Sequence, residues 1–134
     1  MTFSRVNNAQ IVNIHQQIEK LKYIPNSDVY DSTMIVFNSI NGLTSKSDRF
    51  KNTKIIAEIV KEKDKRTYCH TLVHLGEYAD SNNMDYFEKS LDIAEKMDLT
   101  YELGWINSAI SQYYIKIQKY DSAMHHILVA RDYF

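Results

Sequence analysis

Residues 70 to 77 read HTLVHLGE, with His70 and His74 four apart and Glu77 three further on. Residues three and four apart are neighbours on a helix, so this spacing sets two imidazoles and a carboxylate, all good zinc ligands, along one face. The glutamate that acts as general base in an HExxH site is missing, because Thr71 follows the first histidine. Cys69 points about 100° away from His70 and stands outside the set. A polar triplet of this kind is also what the wetted face of a helix looks like. The expectation is therefore a polar stripe, with no metal and no cofactor.

Other reactive groups are scattered. His125 and His126 are adjacent and diverge by about 100°, so they cannot serve one site. Asp80, Glu102 and Asp132 read as single carboxylates with no acid and base partner, and no serine or cysteine sits in a nucleophile motif. There is no glycine-rich phosphate loop. The chain is not expected to be an enzyme. Trp105, the one tryptophan, is more informative: Ser108, Gln112 and Lys116 follow it at spacings of three and four and share its face, apart from the packing stripe of Ile106, Ile110 and Tyr114. An amphipathic aromatic beside hydrogen-bonding and charged groups has the composition of a peptide-binding surface. A tryptophan near a helix start can equally pack against the preceding helix. Tyr113 and Tyr114 cannot both be buried.

These residues need a scaffold. The chain has 134 residues, enough for one domain over 1–134 with a single core, but short for an enzyme that also encloses a substrate. Only three glycines and one proline are present, too few for hairpins or barrels. Sixteen basic and seventeen acidic residues leave a net charge of -1, so no field draws the chain to nucleic acid or to anionic lipid. The basic run KEKDKR at 61–66 is broken by Asp64 and reads as a solvated junction. One cysteine excludes an internal disulfide, and neither a membrane-spanning run nor a signal peptide is apparent. The expected location is cytoplasmic. Abundant Ile, Asn, Lys and Tyr point to an AT-rich, bacterial genome.

Apolar residues recur at helical spacing almost throughout. Ile11, Ile14, Ile18 and Leu21 line a first helix that Pro25 ends. Ser27 is a candidate cap for a second, with Val29, Thr33, Val36 and Ile40 inward, Tyr30, Met34 and Phe37 beside them, and Gly42 as its C-cap. Ser47 or Asp48 would cap a third, with Ile55, Ile56, Ile59 and Val60 as its core edge. Further helices are predicted over 64–80, 84–97 (Phe87, Leu91 and Ala94 inward) and 101–117, and a seventh from Tyr120 onward. Short connections between them predict an all-α fold of antiparallel helix pairs.

The last pairs overlay: Leu72, Leu75 and Gly76 fall 35 residues before Asn107, Ile110 and Ser111. The segment INSAISQYYIKIQKYDSAMHHILVA resembles a tetratricopeptide repeat, a helix-turn-helix unit of about 34 residues. The matches are Ile110, the small Ser111, Tyr114, Tyr120 at the turn, then Ala123, Ile127 and Ala130. Small residues would let helices approach and large ones would fill the gaps around them. Asn107 departs from the usual large apolar residue. In the preceding repeat Leu72, Leu75, Gly76, Phe87 and Ser90 match less fully, and the resemblance covers about residues 67–134.

The resemblance implies an α-solenoid of about seven helices that binds a protein or peptide on its concave face. There it assigns His70, Val73, Glu77 and Asp80 from one helix and Trp105, Ser108, Gln112 and Lys116 from the other. By analogy such arrays are regulatory or sensory modules of bacterial signalling proteins, among them peptide-responsive regulators and some diguanylate cyclases. The pattern stops at ARDYF inside a helical run, which predicts a fragment of a longer protein, or two copies that cover each other's C-terminal helix. The alternative function is accordingly an oligomerisation or domain-docking element.

Overall fold

A chain with so few helix breakers has little choice of architecture, and the computed structural model is all-helical. It describes residues 8–43 and 45–134, the side chains of 8–12 excepted. The described residues hold seven α-helices and no strand: α1 (Asn8–Lys20), α2 (Val29–Asn41), α3 (Lys46–Val60), α4 (Lys65–Tyr78), α5 (Asn83–Lys96), α6 (Thr100–Lys116) and α7 (Tyr120–Arg131). They pack as helix pairs in the manner of an α-helical repeat. None is long and apolar enough to cross a membrane. The chain divides into two compact units, one reaching Tyr68 and the other running from Cys69 to Phe134.

In the first unit α1, α2 and α3 pack on one another. Ile14, Ile18 and Leu21 are buried as the periodicity requires, while Ile11 lies outside the described side chains. The α-helix ends at Lys20, before Pro25, which precedes a 3-10 turn at Asn26–Asp28. That turn absorbs Ser27, so the residue capping α2 is Asp28. Val29, Thr33, Val36 and Ile40 form the buried stripe of α2, with Phe37 beside them. For α3 the cap is Ser45, whose hydroxyl accepts from Asp48 N at 3.2 Å, in place of the expected Ser47 or Asp48. Its buried stripe is Thr53, Ile56, Ala57 and Val60, which leaves Ile55 44% exposed. At the start of α4, Asp64 accepts from the backbone N–H and the hydroxyl of Thr67 and thereby caps the helix. The basic run also has a packing role, with the Arg66 guanidinium 4.1 Å from the centre of the Tyr30 ring.

The second unit centres on Cys69, Val73, Phe87, Ala94, Leu103, Ile106, Ala109 and Ile110. The ring of Phe87 lies directly on Gly76, where a Cβ would meet it at 2.6 Å, so the small residue of α4 makes room for the aromatic of α5. Asn83 ties off α4 by donating to the carbonyls of Gly76 and Ala79 at 2.8 and 2.7 Å. The two following turns are alike. Leu99 N bonds Ala94 O and Lys119 N bonds Tyr114 O, with Asp98 and Gln118 between them at φ 54° and 62°. This is the Schellman closure, usually built on glycine and made here with two L residues in the left-handed region.

On α6 and α7 the small positions Ser111, Ala123 and Ala130 are buried beside Ile110. Asn107 replaces an apolar residue without an energetic fault: its Nδ2 donates to Leu103 O at 2.8 Å, and its Oδ1 accepts from His126 Nδ1 at 2.9 Å. Two expected packing residues are not gap fillers. Tyr120 is 63% and Ile127 41% exposed, because α7 turns the opposite face toward α6.

Candidate functional site

Two contacts fix how α4 lies on α6. His70 meets Glu102, and one turn further along both helices His74 meets Trp105, so the first helices of successive hairpins run side by side in the same direction. His70 Nε2 and Glu102 Oε1 stand 3.1 Å apart, both side chains almost fully buried, with the imidazole N–H donating to the carboxylate. The Trp105 ring lies against both histidines, its centroid 4.8 Å from that of His70 and 5.4 Å from that of His74, and His74 stacks on Tyr78 at 5.9 Å. Glu102 is the residue that sequence reasoning missed. A glutamate in the first turn of a helix ordinarily favours the helix dipole from the surface, and no local signal announces a histidine 32 residues earlier in the chain.

The electrostatics follow from burial. Desolvation pushes the Cys69 thiol up to about 12, reinforced by the charge of Glu102, so the thiol stays protonated and is no nucleophile. Its hydrogen bond goes to Ser90 O at 3.3 Å. His74 is held down to about 4, first by burial and second by the charge on His70, and is neutral at physiological pH. Glu77 is exposed, yet surrounding protein raises its pKa, an effect opposed by Lys116 across the face.

The structure separates the expected binding residues into two sets. Val73 is fully buried in the core and His70 is 5% exposed, which corrects their assignment to an open face. The stripe of α4 that carries both passes beneath α6, and it emerges only toward the end of the helix. Glu77, Asp80, Gln112 and Lys116 are exposed, and Trp105 and Ser108 are partly so. The metal-like triplet does not converge, since His70 faces Glu102 and His74 faces aromatic rings. Among the described residues no three His, Cys, Asp or Glu side chains are grouped to hold an ion. Tyr113 and Tyr114 are both partly buried, against Phe87 and His126 respectively.

The described residues form an all-α fold of packed helix pairs, consistent with a helical repeat, with exposed charges of both signs, Glu77, Asp80 and Lys116, around the end of α4 and on α6. No family model, no curated protein and no solved structure matches the chain.

Proposed function

We propose that the second unit is a binding module for a protein or peptide, built like a tetratricopeptide repeat, and that the α4–α6 face receives the partner. The observation that carries this reading is the partly exposed Trp105, held in place by His70 and His74, on a face where Glu77 and Lys116 present opposite charges. A rigid aromatic anchor with polar groups that fix register is how such surfaces acquire affinity. Binding, not chemistry, is the mechanism. The regulatory or sensory part of a larger bacterial signalling protein, acting in the cytoplasm, is the setting the reading suggests.

The test is selection of peptides from a random displayed library against the whole chain. Selected peptides should shift the emission of the single tryptophan and lose about tenfold or more in affinity on Lys116→Glu, which lies on the surface and spares the fold. A library yielding no binder, or only binders indifferent to both Lys116→Glu and Trp105→Phe, counts against the assignment.

A further inference from the structure

The outer face of α7 has no role in the reading above. Tyr120, Met124, Ile127 and Leu128 recur at helical spacing and are 63%, 55%, 41% and 44% exposed. Ala123 and Ala130 are buried on the opposite side, and His126 is tied to Asn107 there. The helix is thus anchored by one face and carries an apolar stripe on the other. With the neighbouring Phe134, 71% exposed, the stripe leaves on the order of 500 Å² of side-chain surface open, near the upper end for the largest patch on a soluble monomer.

The charges bounding this stripe identify an occupant. Asp121 stands at its start and Arg131 at its end, both exposed, Arg131 almost on the stripe's centre line and Asp121 about 75° around the helix from it. Consider a second α7 laid antiparallel across the first, with a two-fold axis at the level of residue 126. Met124 then meets Leu128 of the other copy, Ile127 lies beside His125, and Asp121 falls opposite Arg131 at both ends of the contact. A parallel pairing would set Asp121 against Asp121. We infer that α7 is a self-association surface, and that two copies of this chain pair through it as an antiparallel, isologous helix contact. Two patches of this size bury about 1,000 Å² in total, the floor for a specific interface, so the dimer is weak and concentration-dependent.

The α4–α6 face takes no part in this contact, so failure of one proposal leaves the other standing. The experiment is sedimentation equilibrium of the whole chain from about 5 to about 500 µM, with circular dichroism confirming that each surface variant is folded. The expected result is a reversible monomer–dimer equilibrium that Met124→Glu abolishes. Asp121→Arg and Arg131→Asp should each weaken it by roughly fivefold, and the two together should restore it, because each rim ion pair is re-formed with its signs exchanged. A monomer at every concentration overturns the inference. So does a dimer insensitive to Met124→Glu, or a doubly reversed variant no tighter than the single ones.

Discussion

Two of the three glycines stand inside helices of the second unit, and the same substitution should move stability in opposite directions at the two sites. At Gly76 an added Cβ would lie 2.6, 2.8 and 2.9 Å from three carbons of the Phe87 ring. Carbon atoms prefer about 3.5–4.0 Å, and Phe87 is 2% exposed, so the ring has nowhere to withdraw. Overpacking of this kind costs about 1–3 kcal/mol, and contacts this short place it toward the upper end. Alanine regains about 1 kcal/mol of helix propensity. Gly76→Ala should therefore destabilise by about 1–2 kcal/mol. At Gly104 the added Cβ would meet the Phe134 ring at 2.8 to 3.1 Å, but that ring is 71% exposed and can swing away. What it gives up is an edge contact with Tyr101, centroids 6.2 Å apart and itself at the surface, worth about 0.5 kcal/mol. The propensity gain then wins, and Gly104→Ala should stabilise by about 0.5 kcal/mol. Urea unfolding followed by Trp105 emission reads the second unit directly. Gly76→Ala combined with Phe87→Leu should cost less than the two changes summed, since the smaller side chain relieves the overlap. Equal shifts for the two alanine variants, or strict additivity with Phe87→Leu, would refute the reasoning.

The depressed pKa of His74 predicts a pH dependence. The unfolded chain takes up this proton near pH 6.5 and the folded chain near 4, so stability falls as pH drops through that window, by up to about 3 kcal/mol for the whole shift. Glu77, with its raised pKa, acts in the opposite sense but is exposed and contributes less. Urea midpoints between about pH 7 and pH 5 should slope downward in the wild type and flatten in His74→Gln, and parallel slopes would remove His74 as the source. Gln118→Gly should stabilise by about 0.5–1 kcal/mol, because glycine adopts the φ of 62° at no steric cost. Thermal melts that instead show the loss of about 1 kcal/mol typical of glycine within a helix would mean that the Schellman turn does not form.

What the sequence disclosed, and what it withheld, divides by the range of the interaction. Helices answer to spacing along the chain, so the stripe Val29, Thr33, Val36, Ile40 was readable and is buried as read. Helix ends answer to one or two hydrogen bonds. Ser45, Ser47 and Asp48 are three possible caps within four residues that composition does not rank, and the hydrogen bond goes to Ser45. The turns at Asp98 and Gln118 could be located, but their left-handed geometry could not, since the glycine that usually marks it is absent. On α3 the apolar Ile55 outweighed Thr53 and Ala57, yet the latter two complete the i, i+3, i+4, i+7 stripe, and a small or hydroxylated residue in a stripe carries little hydrophobic signal. The site fails differently. Glu102 and Asn107 look like faults in their helix when only their neighbours in sequence are considered, and each is accounted for by a histidine on another helix, His70 and His126. Such pairs are legible only once packing has brought the elements together. In both, a buried polar residue is satisfied by a partner on a neighbouring helix, so the pair ties one particular face to another. The imidazole that meets Glu102 also packs on the Trp105 ring, centroids 4.8 Å apart, so the buried pair and the partly exposed aromatic belong to one set of contacts between α4 and α6.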